Sequence, residues 1–172
     1  VGHLYLVQNQ SVMGTLSRLA QPGRASALPW LGLVAVIAAF GLWRAARAGR
    51  AGDELVGITL TGLVGSLISP VSWQHHLYWF VPALIVLLDV VATRGAAHRT
   101  WYAVVGVVVW TTVTVSLISF FDWGYLPASL IHTPEGFLVL NSYVLLMLVL
   151  LVVLPIRERL PDAPTGTAGS PG

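Results

Sequence analysis

Five apolar runs, at residues 28–48, 55–69, 77–93, 101–121 and 137–154, are separated only by short polar breaks, and this pattern limits the fold more than any other feature of the chain. A helix of roughly 20 predominantly apolar residues is what crosses a hydrocarbon core of about 30 Å. With 56% hydrophobic and 9% charged residues and a mean hydropathy of +0.78, the 172-residue chain cannot supply the polar faces that helices of a soluble domain turn to water. The expectation is an all-α, polytopic transmembrane helical bundle over residues 28–155. An external polar or interfacial segment, 1–27, precedes it, and a cytoplasmic disordered tail rich in Pro, Gly, Ala, Ser and Thr, 156–172, follows it.

The breaks and flanks refine each run. Leu4, Val7, Val12, Leu16 and Leu19 approximate one face of a short helix, predicting an amphipathic segment lying at the interface. In the first run Arg44 and Arg47 extend the helix by laying their stems along it and placing their heads in water. The second run holds Gly57, Thr61, Gly62 and Gly65; Thr61 and Gly65 fit the small-xxx-small spacing of close helix packing, whereas Gly57 and Gly62 are five apart. The fourth is a valine-rich helix flanked by Trp101 and Trp123 as interface anchors, and Pro155 ends the fifth.

All nine basic residues other than histidine are arginines, and there is no cysteine, so disulfides and thiolate metal sites are excluded. The arginines sit in small groups beside the runs and form no continuous basic face, which argues against nucleic acid as a partner. Arg44, Arg47, Arg50, Arg94, Arg99, Arg157 and Arg159 follow the first, third and fifth runs, so those ends are predicted to be cytoplasmic. The opposite side then carries residues 1–27, the 69–76 break and the 120–136 loop, and any site built from them faces outward. The chain opens at Val1 on a polar segment without a signal-peptide pattern, and reads as the second part of a longer protein.

Residues 69–79, Ser-Pro-Val-Ser-Trp-Gln-His-His-Leu-Tyr-Trp, are the break whose polarity lipid contact does not explain. Pro70 ends the preceding helix, and Trp73 and Trp79 are placed to anchor a turn at the interface. His75 and His76 are adjacent, so their side chains are expected to diverge and to make a poor metal site alone; His132, Asp122 and Glu135 are the only further ligands on that side, and no metal site is assigned. Imidazoles beside indoles suit a phosphorylated lipid and a sugar, since an imidazole donates to phosphate oxygens and an indole face packs on a pyranose ring; a polar interfacial turn is the plainer reading.

Asn9, Gln10 and Ser11 offer neutral groups for sugar hydroxyls, and Arg18 offers a cation for a phosphate leaving group or an ordinary interfacial charge. Asp89, near the cytoplasmic end and five residues before Arg94, is expected to pair with an arginine rather than relay protons. Asp122 and Glu135 bracket an aromatic external loop, and nothing in their spacing singles out either as a base.

Asn9-Gln10-Ser11 followed by Gly14 and Leu16-Ser17-Arg18, together with the 69–76 run, resembles the C-terminal part of the actinobacterial polyprenol-phosphate-mannose-dependent alpha-(1,2)-mannosyltransferases, glycosyltransferase family 87, over roughly residues 1–155. The resemblance implies a GT-C fold in a bacterial inner membrane. It also implies transfer of mannose, with inversion, from a polyprenyl-phosphate-mannose donor to a glycolipid or lipoglycan acceptor on the periplasmic face, with no further cofactor. Asn9, Gln10, Ser11, Arg18, Ser72, Trp73, Gln74, His75, His76 and Trp79 would border the donor and acceptor cavity, His75 and His76 supporting catalysis. The catalytic aspartate of such enzymes lies in a first external loop that has no counterpart here, so the general base is expected in a missing N-terminal part and the chain alone is expected to be inactive.

Two other classes fit the apolar pattern. A transporter or lipid flippase would favour ionisable residues deep in several runs, and these have none apart from Asp89. A non-catalytic membrane subunit would pack through its Gly/Thr-rich second run.

Overall fold

The computed structural model describes residues 4–93, 96–120 and 131–157, and the secondary structure among them is helical, without strands. Helix α1 spans Val12–Leu19, α2 Ala27–Arg50, α3 Glu54–Ile68, α4 Phe80–Thr93, α5 Ala96–Val115, α6 Pro134–Leu140 and α7 Ser142–Val153. Single 3-10 turns at Gln74–His76 and Leu117–Phe120 precede α4 and follow α5.

Side chains the sequence places at the boundaries start the helices. Ser11 Oγ accepts from Gly14 N–H at 3.1 Å, Asp53 Oδ1 from Val56 N–H at 3.3 Å, and Thr133 Oγ1 from Gly136 N–H at 3.1 Å, each satisfying a donor that a helix start leaves unpaired. Gly52 takes a φ of 75° in the three-residue link between α2 and α3, a conformation that glycine enters without steric cost.

The chain runs up and down a bundle with α3, α4 and α7 in the middle. Leu60, Leu63 and Leu67 of α3 meet Phe80, Ala83 and Leu87 of α4 and Met147, Leu150 and Leu151 of α7 in one buried core. Glycines set the distance of α2: a Cβ on Gly41 would run into Val64 and Leu151, and one on Gly57 would touch the Ala45 carbonyl at 3.4 Å. The close packing expected of Thr61 and Gly65 is instead made by Gly57 and Gly62. Gly62 takes the indole of Trp79 against its bare face, while Thr61 is exposed along the groove beside α2 and Gly65 meets open space.

The outward faces of α2 and α5 stay apolar. Leu28, Val36 and Trp43 on α2, and Trp101, Val107 and Trp110 on α5, are all exposed, far more than the scattered apolar residues of a water-facing surface. Among the described helices α2, at 24 residues, is the one long and apolar enough by itself to cross a membrane, and α6 and α7 reach that length together.

Several expected boundaries shift for identifiable reasons. The third run begins its helix at Phe80 rather than 77, after the histidine turn. The fourth ends at Val115 rather than 121 because Ser116 adopts a left-handed φ of 50° and stops the ladder; Trp123 and the rest of 121–130 lie outside the described residues, as do Arg94 and 158–172. The fifth is broken: α6 and α7 meet at 74°. Gln10 Nε2 takes the Leu140 carbonyl at 2.8 Å, and Asn141 Nδ2 bonds the Phe137 carbonyl at 2.8 Å, so side chains enter the ladder at the bend.

The two ends of the bundle are locked differently. At one end Arg157 donates to Asp53 Oδ1 at 2.6 Å and to Asp89 Oδ2 at 2.8 Å, tying the start of α3, the last turns of α4 and the segment after α7. Asp89 thus pairs with an arginine, though with Arg157, which α7 delivers to the same end. Burial alone would raise the Asp53 carboxyl, but the hydrogen bonds and charge of Arg157 hold it below its ordinary value. Arg157 is in turn raised by its bonds to Asp53, which outweigh burial. Arg44 corrects the expectation of a head in water: it donates to the Leu151 and Leu154 carbonyls, both at 2.6 Å, and caps α7, while Arg47 lies 5.3 Å from the Trp43 ring. The other end holds the 69–79 turn.

Candidate functional site

Residues 9–11 and 70–72, far apart in sequence, form a buried polar node under the histidine turn. Asn9 Oδ1 accepts from Ser72 N–H at 2.9 Å, Asn9 Nδ2 donates to the Pro70 carbonyl at 3.2 Å, and Gln10 N–H donates to the Ser72 carbonyl at 2.7 Å. Proline at 70 both ends α3 and leaves a carbonyl free for Asn9. Ser11 Oγ donates to Asn9 Oδ1 at 2.9 Å while capping α1. Gly14 is required one turn later, since a Cβ there would overlap the Asn9 carbonyl.

Arg18 closes the node from α1 and is 1% exposed. Its Nη1 donates to the Leu6 and Asn9 carbonyls, both at 2.9 Å; Nε and Nη2 donate to Asn141 Oδ1 at 3.1 and 2.6 Å; Nη2 also reaches Thr15 Oγ1 at 3.4 Å. Burial pushes the guanidinium down to about 9, which leaves it charged at neutral pH. The apolar face of the segment turns toward the bundle at Val7, Val12 and Leu16 while Leu19 is exposed, and the polar Ser11 and Arg18 are buried as well, because Asn141 and the backbone of residues 4–9 supply the acceptors that water would otherwise provide.

The expected ligand residues separate into two groups. Asn9, Gln10, Ser11, Arg18 and Ser72 are buried and bond to the protein, so they build the turn from beneath. Trp73, Gln74, His75, His76 and Trp79 are half-buried or exposed. The histidine side chains do not diverge. The 3-10 turn sets their rings edge to face with centroids 4.3 Å apart, and His76 Nδ1 accepts from Trp73 N–H at 3.3 Å. With Nδ1 accepting, Nε2 is the ring nitrogen left to donate. No cluster of three His, Asp or Glu side chains suited to a metal occurs among the described residues; His132 and Glu135 are exposed, and Asp122 lies outside them.

Trp79 turns from this node to α3 and walls one end of a groove of about 600 Å³ between α2 and α3. Ala45, Gly49, Gly57 and Ile58 line its length. The surface the turn presents is thus two imidazoles and an indole above a buried cation, beside an apolar channel.

Known proteins share this sequence in part. Over 98 residues, 54% of the chain, it is 38% identical to a polyprenol-phosphate-mannose-dependent alpha-(1-2)-phosphatidylinositol pentamannoside mannosyltransferase of Mycolicibacterium smegmatis. It is 31% identical over 87 residues, 51% of the chain, to a polyprenol-phosphate-mannose-dependent alpha-(1-2)-phosphatidylinositol mannoside mannosyltransferase of Mycobacterium tuberculosis. Part of the chain is homologous to mannosyltransferases. The matched regions cover 20% and 23% of those two relatives, so the chain spans about a quarter of their length. No family model and no solved structure matches.

Asn141 is the site residue that sequence reasoning missed. A lone asparagine amid Phe137, Leu138, Val139, Leu140 and the apolar residues after Ser142 was the available signal, since an amide inside an apolar run needs a partner.

Proposed function

We propose that this chain forms the donor-side wall of a polytopic membrane mannosyltransferase of the GT-C type. In this reading the enzyme transfers mannose from a polyprenyl-phosphate-mannose donor to a glycolipid or lipoglycan acceptor at the periplasmic face of an actinobacterial inner membrane. The observation that carries the reading is homology over half the chain to proteins named for that donor. The geometry is compatible with it. His76 Nε2–H and His75 are available to a phosphate oxygen, and the groove beside Trp79 has the apolar, elongated form that an isoprenoid chain fills. The exposed faces of α2 and α5 are suited to lipid or to further helices.

In the inverting reaction the acceptor hydroxyl oxygen bonds to the anomeric carbon as that carbon's bond to the phosphate oxygen breaks. The hydroxyl proton passes to a base, and the electron pair leaves with the polyprenyl phosphate. The turn would stabilise the charge gathering on that phosphate. We assign the base to a carboxylate outside the described residues.

The test is binding of radiolabelled polyprenyl-phosphate mannose to the chain in nanodiscs. Saturable donor binding, reduced by His75→Ala and His76→Ala together and without transfer of mannose by the chain alone, is the expected result; no donor binding above that of empty discs would sink the proposal.

A further inference from the structure

Arg18 is a buried cation with every donor occupied and no anionic partner among the described residues. Its five N–H groups face Asn141 Oδ1 twice, the Leu6 and Asn9 carbonyls, and Thr15 Oγ1, all neutral oxygens. The ion pairs found among the described residues belong to Arg157, at the opposite end of the bundle. A guanidinium used in this way has nothing left to donate to a ligand, which removes the simplest role for it, direct contact with a phosphate.

The charge itself remains. Enclosing a cation among neutral groups is costly, and an aspartate, the same shape as asparagine, at position 141 would accept the same two hydrogen bonds while cancelling the charge. The chain has the amide instead. It holds the cation directly beneath the turn, because the carbonyl that Arg18 bonds belongs to Asn9, and the side chain of Asn9 holds Pro70 and Ser72. Three residues further on, the chain presents His75 and His76 to the outside.

We propose that Arg18 is a positioning charge for an anionic group bound at the 69–79 turn, acting through its field while no ligand touches it, and that the ligand class is a phosphate ester. This rests on the reading that the turn meets a lipid phosphate. A buried charge is screened by salt far less than a surface one, so its effect persists at high ionic strength. Across about 10 Å at an effective dielectric near 20, one unit charge is worth on the order of tenfold in affinity.

The experiment uses the full chain in nanodiscs of phosphatidylcholine, with binding of tritiated farnesyl phosphate and of farnesol corrected for empty discs. The wild type is expected to prefer the phosphate, at low and at high salt. Asn141→Asp, and Thr15→Asp from the half-buried outer edge of the guanidinium, are each expected to lower that preference on the order of tenfold with farnesol binding unchanged; Asn141→Asp also gives up the Nδ2 bond to the Phe137 carbonyl, so thermal unfolding is measured on each variant. Thr15→Asp decides the matter if Asn141→Asp unfolds. A folded variant that keeps the wild-type preference overturns the field role alone; a wild type that binds both ligands equally overturns the phosphate reading of the turn and the inference with it.

Discussion

Asn9 receives the backbone N–H of Ser72 on its side-chain oxygen at 2.9 Å, so a single amide takes the place that a strand partner fills in other turns. The same side chain donates to Pro70 and Leu4, and few residues of its size hold as many separate segments. Asn9→Ala leaves the buried Ser72 N–H without a partner, while the Pro70 carbonyl keeps its bond from Ser11 Oγ at 3.2 Å, and a cost of about 1–3 kcal/mol is expected. Chemical unfolding in mild detergent, followed by tryptophan emission, measures it; a loss below a few tenths would show that the turn holds without the amide.

Arg18→Lys tests geometry. An ammonium offers three donors on a point, and cannot span Asn141, Leu6, Asn9 and Thr15 as the planar fork does. The variant keeps the charge but is expected to be destabilised by roughly 2 kcal/mol, with the α6–α7 bend loosened, visible as faster amide exchange around Asn141. Exchange rates equal to wild type would contradict this.

The glycines divide sharply. Gly14→Ala drives a Cβ into the Asn9 carbonyl, and Gly62→Ala drives one into the Trp79 indole, so both are expected to lower the unfolding midpoint, Gly14→Ala more because backbone cannot swing aside. Gly65→Ala meets open space and is expected to stabilise α3 by about 0.5–1 kcal/mol through helix propensity alone. The four midpoints, ordered Gly65→Ala, wild type, Gly62→Ala, Gly14→Ala from high to low, check the packing of the bundle.

The Asp53–Arg157 pair gives an acid dependence of definite sign. Because the folded carboxyl of Asp53 lies below its ordinary value, its stabilising share is complete above the unfolded value near 3.8 and is lost as pH falls through the folded one. Arg157, raised in the fold, keeps its share below its unfolded value and would lose it only at extreme alkaline pH. Asp53→Asn is expected to flatten the unfolding midpoint between pH 5 and the acid limit. Equal acid slopes in wild type and Asp53→Asn would remove the pair as its source.

Much of the helical plan was readable because length and apolarity decide it: the runs at 28–48 and 55–69 became α2 and α3 within two residues at either end. What the sequence concealed was long-range. Asn141 is the one local mark of the bend at residue 140; its other cause is Gln10, 130 positions earlier, capturing the Leu140 carbonyl. Arg18 looked like a surface cation because arginine is seldom buried without a carboxylate, and only the fold brings Asn141 to it. The histidine pair was legible as an exposed polar turn by its company of tryptophans. Its edge-to-face geometry depends on a 3-10 turn that two adjacent residues do not announce.

The bonds from Arg18 to Asn141 and from Gln10 to Leu140 also set an order of assembly. Translated from the N-terminus at about 5–20 residues per second, the chain makes Arg18 on the order of ten seconds before Asn141 exists. In that interval α2 to α5 can form and pair, while Arg18 has only the Leu6 and Asn9 carbonyls and Thr15 as acceptors and lacks the two bonds to Asn141. The last helix to arrive is thus the one that seats the first, and the histidine turn takes its final form only when synthesis of this region is nearly finished.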